Sequence, residues 1–281
     1  MAAMLVGCLS NIVLDYVFIF PLGMGMFGAA LATCAAPGIG LLISSAHFFQ
    51  RKNSFRPVWC PLNGKQARGI LSLGVSSLIT EVSSGIVMLV FNQIILSLSG
   101  NVGVAAYGII ANLALIVVSI FTGVAQGIQP IVSRSFGSGQ MRHVKQIFYY
   151  GLITSAAFGL LFLGVGWFFF QPVVGIFNQE NNLEMERLAS QGLPLYFLAF
   201  PMMGVNILAS SYLASLSKGG PAFLLSALRG AAAVIPAVFI LSQLFGLTGV
   251  WLAVPCTEAL TFLVFLGMLP FCFRHPKGSG A

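Results

Sequence analysis

The 281-residue chain is 58% hydrophobic and only 7% charged, whereas a water-soluble domain carries about 25% charged residues. This excludes a soluble globular fold and predicts an all-α polytopic membrane protein, because the apolar runs are continuous and lack the two-residue alternation of a β-barrel. The net charge of +7 does not predict a nucleic-acid partner, since the basic residues cluster in short segments between apolar runs.

From the N-terminus, breaks at proline, glycine and charge predict about eight transmembrane helices, at 2–21, 27–49, 69–98, 103–130, 147–170, 189–214, 221–243 and 247–272. The first run has no basic segment before it, so it reads as a spanning helix and not a cleavable signal peptide. The stretch 50–68 contains Pro57, Pro61 and Asn63-Gly64 and reads as a linker. It separates a two-helix piece, 1–49, from a six-helix piece, 69–273, which is followed by a tail at 274–281.

Charge orients these spans. Arg51, Lys52, Arg56, Lys65 and Arg68, then Arg134, Arg142 and Lys145, then Lys218, Arg274 and Lys277 all fall on one side if the spans number eight. The other side carries Glu180, Glu184 and Glu186 with Arg187. The excess of basic residues marks the cytoplasmic side, so both termini are expected in the cytoplasm. Arg229, about two turns into the seventh span, is expected to snorkel to that face.

An internal repeat marks the second and eighth spans. Gly25-Met-Phe-Gly28-Ala-Ala-Leu31-Ala32 and Gly246-Leu-Thr-Gly249-Val-Trp-Leu252-Ala253 both read G-x-x-G-x-x-L-A. Glycines there allow a tight turn and close helix packing, and the shared context suggests a duplication.

Three of the six acidic residues, Asp15, Glu81 and Glu258, lie inside apolar stretches. A charge at the bilayer centre costs about 2.5–3.5 kcal/mol on insertion scales, so an intramembrane acid points to an ion or substrate site. In the third span Ser77, Glu81, Ser84, Met88 and Asn92 form one helical stripe bordered by Thr80 and Gly85. A carboxylate among hydroxyls suits Na⁺ or H⁺; hydrogen bonding within the bundle is the competing reading. In the eighth span Trp251, Pro255, Glu258, Phe262 and Phe265 share a stripe. Pro255 is expected to break the helix beside Glu258, and an acid among aromatics suits an organic cation. Asn11 and Asp15 lie one turn apart on the first span, where Thr33 of the second could join them around a small hard cation or simply bond the hairpin together.

Gln126 and Gln129 near the end of the fourth span, and Met202 and Asn206 in the sixth, suit a cavity for varied ligands or ordinary interhelical contacts. The five cysteines form no CxxC pair and read as small buried thiols. There is no HExxH and no phosphate-binding loop of the GxxxxGK[ST] type, so enzymatic and ATP-driven functions are not expected and no resident cofactor is implied. An intramembrane acid protease would need Glu81 and Glu258 to face one another.

The run from Asn11 through Asp15 to Thr33 resembles the fifth and sixth helices of multidrug and toxic compound extrusion (MATE) transporters. Gly127-Ile-Gln129-Pro130 with Gly137-Ser-Gly139 resembles their eighth helix and following loop, and Gly249-Val-Trp-Leu-Ala-Val-Pro255-Cys-Thr-Glu258 resembles their twelfth. Glu81 falls where the family carries an acid on its seventh helix. The resemblance implies two six-helix lobes of which this chain holds the last two N-lobe helices and a complete C-lobe. It also implies exchange of Na⁺ or H⁺ for small organic cations and drugs across a bacterial plasma (inner) membrane. Coupling would fall to Glu81 and to Asn11, Asp15 and Thr33, with Na⁺ at Glu81 or Asp15. Asn206 stands where some members carry an acid. The substrate cavity would include Glu258, Ser77, Ser84, Asn92, Gln126, Gln129, Met202, Asn206 and Trp251. With helices one to four of the family pattern absent, the chain alone is expected not to perform alternating access. Alternatives are a non-transporting membrane remnant or scaffold, or a related lipid-linked-sugar flippase.

Overall fold

The computed structural model describes residues 2–49, 64–178, 182–216 and 218–272; side chains of 2–4, 47–49, 65–81 and 270–272 are outside the description. Most of the linker at 50–68, the tail at 274–281, Glu180 and the side chains of Ser77, Thr80 and Glu81 therefore lie outside the described residues. The elements are α1 (Ala2–Ile19), α2 (Gly25–Phe49), α3 (Gly64–Gly137), α4 (Met141–Phe168), α5 (Phe170–Phe177), α6 (Leu183–Phe197), α7 (Phe200–Ser215), α8 (Gly219–Ala227), a π turn (Leu228–Ala232), α9 (Ala233–Phe245) and α10 (Leu247–Cys272). The protein is an all-α polytopic membrane protein. Gly25–Ala46, Val82–Gly137, Met141–Phe168, Gly219–Phe245 and Leu247–Leu269 are each long and apolar enough to cross a bilayer, and α6 and α7, bent by 48° at their junction, are so when taken together.

The chain divides into two compact units, 1–66 and 67–281. In the first, α1 packs along α2. The second holds α3 from residue 67 onward; α3 is two helices, 64–99 and 101–137, joined at Gly100, whose φ of 64° and ψ of −160° break the spiral. The sequence breaks this region at the same place. The bend between α6 and α7 falls just before Pro201, which sits in the first turn of α7 where a missing N–H is tolerated.

Both G-x-x-G-x-x-L-A octets fold alike. Gly25 and Gly246 have positive φ of 53° and 58°, which lets the chain reverse within a few residues. The second glycine of each octet is then pressed against the preceding helix. A Cβ on Gly28 would lie 3.0 Å from the Phe18 carbonyl oxygen, and one on Gly249 would collide with the Leu241 carbonyl. Gly249→Ala is thus expected to force α9 and α10 apart at a cost of about 1–3 kcal/mol. Gly267→Ala, on the same helix with nothing within 4 Å of the added carbon, is expected to be neutral or slightly stabilising. Thermal unfolding in detergent compares the two; equal shifts would show that Gly249 is not a packing contact.

Two apolar clusters hold the second unit. One gathers Phe91, Ile110, Phe121, Leu193, Phe200 and Trp251, the other Val144, Phe148, Leu208, Tyr212, Leu213 and Phe265. In the first, Trp251 stacks on Tyr107 at 6.2 Å and Tyr107 on Phe91 at 5.5 Å, tying α10 to both halves of α3. Small residues let helices approach, as where Gly159 of α4 meets the backbone of Phe200 and Pro201. The outward side stays apolar: Leu115, Leu160 and Leu263 are 63%, 62% and 64% exposed. That is the expected finish of a surface that meets lipid tails.

Candidate functional site

Three polar side chains from three different spans meet inside the second unit. Arg229 donates from Nε to both carboxylate oxygens of Glu258, at 3.0 and 3.2 Å. Asn206 of α7 donates from Nδ2 to Glu258 Oε2 at 2.7 Å and to the Glu258 backbone carbonyl at 2.9 Å. Glu258 is 4% exposed and Asn206 wholly buried. The Oδ1 of Asn206 is buried without a hydrogen-bond partner among the described residues.

Local structure explains how these residues converge. The π turn widens the helix at Leu228–Ala232, and Gly230 leaves helical conformation with ψ of −150°. The turn packs against α10, and Arg229 points inward there to meet Glu258. Its depth fits this. Ten residues past the start of α8 at Gly219 correspond to about 15 Å of helix, roughly half the thickness of a bilayer's hydrocarbon core. At that depth a guanidinium needs a protein partner. The expectation that Arg229 snorkels to the cytoplasmic face is therefore corrected: it pairs with Glu258. The helix break expected at Pro255 is corrected too, because α10 runs unbroken from Leu247 to Cys272 and the irregularity lies in the neighbouring span. Depth was the signal that could have found Arg229; an arginine this far into an apolar run pairs most readily with an acid at similar depth.

The other expected cavity residues are dispersed. Trp251 is 1% exposed in the aromatic stack, so its ring serves packing here and not a cavity wall. Thr257 and Thr261, beside Glu258, are buried and return their hydroxyls to carbonyls of α10. Met202 and Asn92 are half-buried, while Ser84, Gln126 and Gln129 are exposed on the unit that carries them. Glu258 and Asn206 are joined by a hydrogen bond.

In the hairpin unit, Asn11 and Thr33 line one groove of about 640 Å³, together with Gly7, Cys8, Pro37 and Ser44. The Thr33 hydroxyl donates to the Ala29 carbonyl at 2.9 Å. Asp15, one turn from Asn11, is half-buried, with Oδ1 buried and unpartnered among the described residues. Two of the three expected oxygen donors thus share a groove, and the third keeps a free lone pair nearby.

A family model described as MatE matches residues 74–240, more than half of the chain. The chain belongs to the MatE family. This MatE chain is 28% identical over 261 residues to the multidrug export protein MepA of Staphylococcus haemolyticus (strain JCSC1435), covering 92% of the chain and 56% of the relative. It is 27% identical over 269 residues to MepA of Staphylococcus aureus (strain NCTC 8325 / PS 47), covering 94% of the chain and 58% of that protein. The chain thus spans a little over half the length of these relatives. Among solved structures, an outward-facing multidrug resistance MATE transporter of the MOP superfamily superposes with a TM-score of 0.85 at 20% identity, over 96% of this chain and 61% of its own. A MOP superfamily transporter from Pyrococcus furiosus gives 0.84 at 19% identity, over 98% and 63%. These two likenesses establish the MatE fold for nearly the whole chain.

Proposed function

We propose that this MatE chain serves multidrug efflux, exporting small organic cations and drugs across a bacterial plasma (inner) membrane in exchange for Na⁺ or H⁺. The observation that carries the reading is the Arg229–Glu258–Asn206 centre. Charged groups at mid-depth are costly and mark transport pathways. Transporters place their sites near the midplane at interrupted helices; here the π turn carries Arg229, and the α6–α7 bend precedes Asn206 in the chain. The MepA relatives are multidrug export proteins, which agrees with this.

In this reading the hairpin 1–49 belongs to an N-lobe and 69–273 forms a C-lobe, with both termini cytoplasmic. Asn11, Asp15 and Thr33 take part in cation coupling, as does Glu81. The test is ethidium export from an efflux-deficient bacterial strain under imposed Na⁺ or pH gradients. The strain expresses either this chain alone or the chain joined behind the N-terminal helices of a MepA relative. Export driven by one gradient is expected from the fusion; export from neither protein overturns the reading.

A further inference from the structure

Among the described residues Arg229 meets its acceptors through Nε, which leaves most of its hydrogen-bonding capacity there unused. Arginine has five N–H donors in a planar fork, and a fork-to-fork pair with a carboxylate would use two nitrogens. Here Nε alone reaches both oxygens of Glu258, and among the described residues neither terminal amino group meets an acceptor. The exposures of the two side chains differ in the same sense: 21% for Arg229 against 5% for Glu258. Glu258 is fixed from behind by Asn206, so the carboxylate is the immobile partner and the guanidinium the outward one. A buried pair kept only for stability is readily replaced by apolar side chains, often with a gain. An arginine anchored by one edge and open at the other is the arrangement that recognises an oxyanion.

We propose that Arg229 is an oxyanion-binding residue, with Glu258 and Asn206 as its positioning residues, for the carboxylate or phosphate of a zwitterionic amphiphile. Charge selects the zwitterion. Taken as a pair, Arg229 and Glu258 sum to zero, so a bare anion on the pair would add a net negative charge within the span, whereas a ligand carrying its own ammonium adds none. The helices on either side of Arg229 in the chain, α8 and α9, are predominantly apolar and suit a hydrocarbon tail. The oxyanion could come from a soluble compound or from a lipid headgroup. The site goes beyond the export reading, and its test does not require transport.

The test is native mass spectrometry of the purified chain from maltoside micelles, with dodecylphosphocholine and dodecyltrimethylammonium as probes. They share a tail and a quaternary ammonium and differ in the phosphate. The unaltered chain is expected to prefer dodecylphosphocholine by about tenfold, the scale of one charge-assisted interaction. Arg229→Lys keeps the charge facing Glu258 but removes the outer fork, and should abolish the preference. The double substitution Arg229→Gln with Glu258→Gln, which leaves no unpaired charge, should do the same. No preference in the unaltered chain, or the same preference in a folded Arg229→Lys or double variant, overturns the proposal. Competition by phosphatidylethanolamine would assign the site to lipid headgroups; its absence would assign it to soluble zwitterions.

Discussion

Arg229→Gln, made while Glu258 remains, is expected to destabilise the protein by about 3–5 kcal/mol, the range for breaking one side of a buried ion pair. The penalty comes from the carboxylate left behind. Glu258 is 4% exposed, and with Arg229 gone its remaining side-chain hydrogen bond comes from Asn206. Adding Glu258→Gln removes the stranded charge, and the double variant should return to within about 1 kcal/mol of the starting protein. The single substitution is therefore expected to be worse than the double, the reverse of additivity. Unfolding by titration with sodium dodecyl sulfate, followed by circular dichroism, measures the original protein, Arg229→Gln, Glu258→Gln and the double variant. A double variant as unstable as the sum of the two single ones would show that the charges act independently.

Trp251→Ala is expected to cost about 3 kcal/mol. Aromatic-to-alanine truncations in soluble cores run from about 3 to 5 kcal/mol, of which part is transfer from water. Within a bilayer the alternative surroundings are lipid tails, so the loss reduces chiefly to packing, and the lower end applies. The packing is dense. Trp251 is 1% exposed, stacks on Tyr107, and lies where a Cβ on Gly192 would come within 2.8 Å of its ring. Trp251→Phe keeps part of that contact and should lose less than half as much. If Trp251 instead lined an open cavity, the alanine variant would unfold almost like the original.

What could be read from sequence and what could not divides along physical lines. Span positions were legible because a bilayer imposes length and polarity on each helix by itself: the break at Gly100 and the turn at Gly246 follow from local composition. The short helix α5 and the bend at Leu198–Ala199 were not separated, since hydropathy is uniform across them. Glu258 stood out as an acid in an apolar run, yet its neighbours did not, because Arg229 and Asn206 reach it from other helices. Which residues face one another depends on the rotation of packed helices, and the π turn resets that rotation by amounts no periodic pattern encodes. Ser84 and Asn92 lie on one helix, as their spacing predicts, but the reading of their stripe as a site depends on Ser77 and Glu81, whose side chains lie outside the described residues.

Only Gly246 separates the end of α9 from the start of α10. A connection of one residue cannot be threaded across a bilayer after its first helix has settled, so during biogenesis the two helices have to partition into lipid as a hairpin. The span bearing Arg229 and the helix bearing Glu258 then leave water in one event. Two solitary charges would each face an insertion penalty of about 2.5–3.5 kcal/mol; entering as a neutral pair, they bypass much of that barrier.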